Sequence, residues 1–472
     1  MSNQTLNLDG QLIESNLLES DLSSDLTPNR ETNTIDDRLS PELETSELDI
    51  KSTESISKES TKDANLFDDS EIATSSLYST SDRPPTNKSA TLLATTDVSA
   101  QTAEEAPPSN LITVGNPQGT EFTFNFADGT SQKVIDATLE AAEVWSSVLK
   151  DDVNIKIDFE FGDIGQNIGD LEPIGGTISN SIELPYSLVK EALAADVTSL
   201  DDRTAIANIP QDSVDLLTNN TSENNGSDTP YLDNNNSQNN SHIRINTANA
   251  KALGIGLEEL AVIQGITVEE VATQLETDAN LADAEIVISN KQNWDFDRSN
   301  GIDSDSADFV GTMVHEIGHA LGFSTGTAEL DFIATNTLGE IINASGSEEA
   351  KQLIIDLGLD GLANSVKIDQ FISENEYTLK TLDLFRFSPE SLEQDAVDFT
   401  TGNIENKYFS IDGGKTVIAP LSTGVYTGDG KQLQHWKDDL GIGLLDPTIE
   451  AGVNNLSDND LQAFDVIGWD VA

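Results

Sequence analysis

The chain has 472 residues, with 24 basic against 84 acidic side chains and a formal charge of −60. That imbalance repels phosphate, so it excludes nucleic acid and anionic membrane surfaces as partners. There is no cysteine, which removes disulfides and thiolate metal ligands, and no run reaches the roughly 18 apolar residues of a membrane span.

Residues 1–108 are rich in Ser, Thr, Asp, Glu and Leu and poor in aromatics. Such segments bury too little apolar surface to offset chain entropy, so a disordered acidic leader is predicted. A pro-segment, a secretion element or a linker all fit that composition. Residues 1–9 lack the basic n-region and apolar h-region of a Sec-type signal peptide. Pro107-Pro108 closes the leader, and 109–472 reads as one folded domain.

Residues 111–114 are strand-like. The alternation of Phe122, Phe124 and Phe126 predicts a second strand over 121–126, followed by a turn at Asp128-Gly129. Ile135, Leu139, Ala142, Trp145, Val148 and Leu149 recur with a helical period over 132–149. Residues 153–161 alternate again as a long strand. This opening predicts a sheet backed by a helix. A helix is expected over 185–205, with Leu193, Ala194 and Leu200 on one side. Residues 219–241, with Asn234-Asn235-Asn236 and Asn239-Asn240, read as an Asn-rich surface insert. A short strand at 243–245, one or two helices over 257–275 and a strand at 284–289 follow.

Residues 293–305 carry Asp295, Asp297, Asp303 and Asp305 in an alternating pattern that suggests a structural Ca2+ loop. However, Gly301 falls one place late for an EF-hand and no Glu closes the loop. An acidic turn feeding a helix N-cap fits the same residues.

The stretch that carries chemistry is Val314-His315-Glu316-Ile317-Gly318-His319, an HExxH motif in a chain with only four histidines. On a helix His315 and His319 project from one face one turn apart, which is the geometry two nitrogens need to share one zinc ion. Glu316 lies between them, placed to act as general base on a metal-bound water without binding the metal. Val310, Met313, Val314, Ile317 and Leu321 form one apolar stripe, so one side should pack on a core while the other faces a cleft. Asp303 to Ser306 offer N-caps, and Gly322 suits the turn that ends the helix.

Farther on, 346–381 has mixed helical stretches and 383–387 is extended. Residues 408–416 read as a hairpin turning at Asp412-Gly413-Gly414, and 424–430 as a loop. A last helix is expected within 456–469, capped by Ser457 with Asp460 three residues on and stopped by Gly468.

A catalytic zinc has three protein ligands and an open fourth position. Three residues past Gly322 stands Thr325, no zinc ligand. Asp331 and Glu340 are nearby carboxylates, and His435 is a distant histidine. His242, beside the Asn-rich insert, reads as an exposed loop residue.

The segment His315-Glu316-Ile317-Gly318-His319-Ala320-Leu321-Gly322-Phe323-Ser324 resembles the metzincin clan of zinc metalloproteases, and is most similar to its leishmanolysin-like branch and to bacterial secreted metalloproteases. That resemblance implies a long insertion, 326–430, before a third histidine in a His-Trp context, which selects His435-Trp436 ahead of Gly443-Leu444-Leu445-Asp446-Pro447, with Asp331 as runner-up. It also implies an α+β zincin fold with a twisted, mainly parallel or mixed sheet, an active-site helix and a mostly helical C-terminal subdomain. No methionine is available for the methionine-turn, so Leu444 or Leu445 would form the apolar floor. Tyr426 precedes His435 where a tyrosine assists in some relatives, although a structural loop tyrosine fits it as well. Asp438, Asp439 and Asp446 are candidates to orient the imidazoles.

The expected function is that of a zinc-dependent endopeptidase, with metal ligands His315, His319 and His435, Glu316 as general base, and polypeptide substrates. The alternative is a catalytically inactive metzincin-like surface adhesin. A monomer acting outside the cell or at its surface is expected.

Overall fold

A computed structural model describes residues 110–164, 173–274, 281–340, 355, 367–402 and 406–472. The expected leader over 1–108, and most of the helical stretches expected from 346 to 366, lie outside the described residues.

Alternation of large apolar and polar residues builds the main sheet. Its strands are β1 (Leu111–Gly115), β2 (Glu121–Phe126), β3 (Asn154–Gly162), β4 (Gly175–Ser179) and, after several intervening elements, β9 (Ala284–Ser289). Their order is β1-β2-β3-β9-β4. The inner strands β2, β3 and β9 run parallel, while β1 and β4 are antiparallel edges. Phe122, Phe124, Ile155, Ile157, Phe159, Ile286 and Ile288 are buried on one face. The opposite face is polar: Asn125 donates to Asp158 (2.9 Å) and Asn154 to Thr123 (3.0 Å). The period-2 pattern thus gives a sheet with one buried side.

Two helices cover that side. One is α1 (Gln132–Val148), whose Val134, Ala137, Ala141, Ala142 and Trp145 are buried; the other, α8 (Phe309–Leu321), carries the HExxH motif. Trp145 Nε1 donates to the Val314 carbonyl at 2.8 Å and so ties the pair together. The C-terminus seals the same core, where Trp469 Nε1 donates to the Leu321 carbonyl (2.9 Å) and the Ala472 amide to Val148 (2.8 Å).

Between β4 and β9 the chain forms β5 (Ser181–Pro185), α2 (Tyr186–Ala195), α3 (Leu200–Asn208), β6 (Leu216–Thr218), β7 (Tyr231–Asp233), α4 (Gln238–Ser241), β8 (His242–Asn246), α5 (Thr247–Ala252), α6 (Leu257–Gln264) and α7 (Val268–Gln274). The single helix expected over 185–205 is two. Ser199 accepts from the Asp202 amide, the Asp202 carboxylate answers on the Ser199 amide, and this capping box starts a new helix. Leu200 consequently lies 74% exposed, off the expected apolar side.

The Asn-rich stretch is folded in at its two ends, while Asn234, Asn235 and Asn236 are exposed as expected of a surface insert. Asn219, Asn220, Asn239 and Asn240 are buried, and the amides of Asn219 and Asn240 serve as partners for backbone carbonyls. Asn240 Nδ2 donates to the Val214 carbonyl (2.9 Å), and Asn219 Nδ2 reaches the Asp228 and Thr401 carbonyls (3.1 Å each). His242 heads β8 and is half-buried, with Ser241 Oγ 3.1 Å from its Nδ1, so it is not the exposed loop residue expected.

After β9 come β10 (Trp294–Asp295), β11 (Ala307–Asp308), α8 and α9 (Thr327–Thr335), followed by β12 (Arg386–Phe387), α10 (Pro389–Glu393), β13 (Val397–Phe399), β14 (Tyr408–Phe409), β15 (Ala419–Pro420) and α11 (Asp458–Val466). The C-terminal part is not mostly helical among the described residues: from 367 onward, 3-10 turns and two-residue strands dominate, and α11 is the one long helix. The hairpin at Asp412-Gly413-Gly414 joins β14 to β15, and Ser457 caps α11, both as expected. The architecture is α+β with several small mixed sheets. No helix among the described residues is long and apolar enough to cross a membrane.

Candidate metal centre

Helix α8 is fixed at its start by Asp308, not by Asp303 to Ser306. Asp308 pairs in β11, and its Oδ1 accepts the Gly311 amide at 3.0 Å. Its Oδ2 accepts from Arg298 and from the Asn454 amide, each at 2.9 Å. Every residue from Phe309 to Leu321 is buried, so the helix is enclosed on all sides and not only along the expected stripe. A close approach at Gly318 makes this possible: a Cβ there would stand 3.0 Å from Leu445 Cδ1 and 3.3 Å from Trp145. Gly322, at φ +122°, turns the chain so that the Phe323 amide returns to the Gly318 carbonyl (3.1 Å).

His315 and His319 face each other on one side of α8. Nδ1 of His315 meets the Leu444 carbonyl at 2.8 Å, and Nδ1 of His319 meets the Phe323 carbonyl at 2.6 Å. A carbonyl only accepts, so both Nδ1 atoms carry protons, and the Nε2 atoms are the ones that would bind a metal. Those Nε2 atoms are 3.1 Å apart. Two nitrogens bound about 2.0–2.1 Å from one tetrahedral zinc stand about 3.3 Å apart. The donor set therefore fits a metal.

The third imidazole is His435. Its ring lies 5.3 Å from that of His315 and 5.1 Å from that of His319, centroid to centroid. One ligand nitrogen from each of the three falls within 4.8 Å of the others. His435 sits on an irregular segment roughly 116 residues beyond His319, held by backbone contacts: its carbonyl accepts the Ser422 amide (3.0 Å), and the next amide, of Trp436, donates to Leu445 (2.8 Å).

One carboxylate gathers this corner. Asp460, at the start of α11 and fully buried, accepts from Trp436 Nε1 (2.7 Å), the Leu444 amide (2.7 Å), the Leu445 amide (3.2 Å) and the Ser457 amide (2.7 Å). It thereby sets the Leu444 carbonyl that fixes His315 and the Leu445 side chain that floors the helix. Sequence reasoning placed Asp460 only in the capping box and looked for orienting carboxylates at Asp438, Asp439 and Asp446. Asp438 is instead held by Lys431 and by Thr448 Oγ1, each at 2.7 Å. Asp446 lies 3.3 Å from the same hydroxyl.

The Glu316 side chain lies against β4. Thr177 Oγ1 is 2.7 Å from its Oε2. His315, Glu316, His319 and His435 are all fully buried.

The other sequence candidates are employed elsewhere. Asp331 is buried, but its carboxylate accepts the amides of Tyr426 (3.1 Å) and Thr427 (3.0 Å) and the Thr427 hydroxyl (2.6 Å), and so pins the 424–430 loop. Burial raises its pKa, and the Thr427 hydroxyl and loop amides oppose that rise. Glu340 accepts from the amide and hydroxyl of Thr337 near the surface (2.8 Å each). Thr325 donates to the buried Asp383, whose other oxygen takes the Gly326 amide (2.8 Å). Tyr426 packs edge-on against Phe332, 5.7 Å between centroids.

In the 293–305 segment the aspartates bend onto their own backbone. Asp295 accepts the amides of Asp297 and Asp303 (3.0 Å each), and Asp297 accepts that of Ser299. Among the described residues, the metal-compatible groups are His315/His319/His435 and Asp151/Asp196/Asp470; the loop aspartates belong to neither.

Comparison of the chain with known protein families, with curated proteins and with solved structures finds no match. The metzincin resemblance accordingly stands on the motif residues quoted above.

Proposed function

We propose that the protein is a zinc-dependent endopeptidase. The observation that carries this reading is the convergence of three buried imidazoles, two of them locked by backbone carbonyls in the metal-ligating tautomer, with a glutamate from the same helix beside them. His315, His319 and His435 are the residues that would hold the ion. Bound zinc supplies Lewis acidity toward a peptide carbonyl and lowers the pKa of water toward neutrality. Glu316 takes the proton of the attacking water on its carboxylate and returns it to the departing amine. Zinc binding alone does not call for that carboxylate, which favours an enzyme over an inactive adhesin.

The substrate this reading calls for is a polypeptide. Because all four site residues are buried, cleavage requires an opening step. A monomer working outside the cell, or on its surface, completes the reading.

Elemental analysis should find one zinc per chain. The protein should cleave a generic unfolded substrate such as casein, and Glu316→Gln should lower turnover by about a thousandfold or more while keeping the metal. Stoichiometric zinc with cleavage unchanged in Glu316→Gln would sink the proposal, and zinc without any cleavage would favour the adhesin.

A further inference from the structure

The edge strand β4 meets α8 through alternate residues, Gly175, Thr177 and Ser179, because a strand turns every second side chain to the same face. Each is matched to one feature of the motif helix. Ser179 Oγ is 3.3 Å from the His319 carbonyl. Thr177 is fully buried, and its hydroxyl lies 2.7 Å from Glu316 Oε2 and 2.9 Å from the Glu316 carbonyl. A hydroxyl carries one proton, and an ionised carboxylate is the stronger acceptor. At Gly175 a Cβ would stand 2.2 Å from Glu316 Oε1 and 2.9 Å from its carboxyl carbon. The strand thus offers a donor to one carboxylate oxygen and an empty place to the other, two residues apart on one face.

We propose that β4 aims the general base: Thr177 holds Oε2 of Glu316, and the absent side chain at Gly175 makes room for Oε1, so both are positioning residues for hydrolysis. This rests on the endopeptidase reading above. A general base works only within hydrogen-bond reach of the proton it takes, and a displacement of about 1 Å can cost about a hundredfold in rate. A merely structural Thr177 would be satisfied by the Glu316 carbonyl, and its loss would weaken the strand–helix contact without altering turnover.

Three variants separate these roles. Thr177→Val keeps the volume and removes the donor; Thr177→Ser restores the donor; Gly175→Ala fills the space beside Oε1. Thr177→Val and Gly175→Ala should each lower kcat about tenfold to a hundredfold, leave KM within about twofold and retain full zinc. Thr177→Ser should recover most of the rate. Crystal structures should show the Glu316 carboxylate displaced from β4 in Thr177→Val and Gly175→Ala and in place in Thr177→Ser. The inference is overturned if folded Thr177→Val turns over like wild type, or if the carboxylate keeps its position in Gly175→Ala. A wild-type protein that does not cleave peptides would defeat the endopeptidase reading alone, since the displacement is read from crystals without activity.

Discussion

The two halves of the candidate metal centre are built by different means. His315, Glu316 and His319 come from a regular helix, where the 3.6-residue repeat places them and the sheet, α1 and the C-terminus enclose them. His435 comes from a stretch of two-residue strands and turns, where no repeat could place it. Long-range hydrogen bonds do so instead: the Ser422 backbone amide donates to its carbonyl, and the Asp460 carboxylate fixes its neighbour Trp436 and the turn behind it. A regular element carries its ligands by backbone geometry, whereas an irregular one needs a side chain dedicated to each segment it must hold.

If that contrast is right, His435→Ala should have the largest effect on the metal. Equilibrium dialysis should find stoichiometric zinc lost, with the variant melting near the chelator-treated wild type, because one of the three imidazoles that would hold the ion is removed. Asp460→Ala should come next. It orphans buried donors on Trp436, Leu444, Leu445 and Ser457, which predicts a loss of about 3 kcal/mol or more in urea unfolding. Zinc affinity, read by chelator competition, should fall about 10–100-fold, as for other residues that orient ligands. An unchanged affinity in Asp460→Ala would break the comparison.

Asp331→Ala should keep full zinc and cost about 1–3 kcal/mol through the freed amides of Tyr426 and Thr427. Loss of zinc there would return Asp331 to the ligand set. The smallest effect is expected at Asp446, where burial, with the Asp438 carboxyl adding to it, pushes the pKa up to about 8. An acid whose folded pKa exceeds its unfolded value of about 4 favours the folded state fully only below about pH 4, and that contribution is lost as pH rises through about 8. Asp446→Asn, neutral throughout, should therefore show a shallower fall in melting temperature between about pH 5 and pH 9 than the wild type.

What could be read from the sequence follows the same division. Strands β1, β2, β3 and β9 of the main sheet, with α1, α8 and α11, were visible because their apolar periods or capping residues are local signals, whereas the edge strand β4 was not read. The Asn-rich stretch misled because asparagine reads as solvated, yet Asn219 and Asn240 serve as backbone partners in the interior. The expected helix over 185–205 missed the capping box at Ser199, whose Ser-x-x-Asp spacing was available. Asp460 was visible as a cap and not as the clasp of the metal corner, since its other partners lie 15 to 24 residues away. Thr177 left no signal at all: its partner Glu316 is 139 residues distant, and nothing in Gly175-Gly176-Thr177 announces a contact with a helix.

The separation of the ligands along the chain has a further consequence. A metal held by His315, His319 and His435 would act as a cross-link closing a loop of roughly 116 residues, and loops of that length gain the most from closure. By the chain-entropy relation used for disulfides, a link across about 100 residues removes about 4–5 kcal/mol of freedom from the unfolded state. This chain has no cysteine with which to make such a link. Its zinc would then serve as the staple of the fold as well as the instrument of its chemistry, and a chelator would loosen the C-terminal half along with silencing the site.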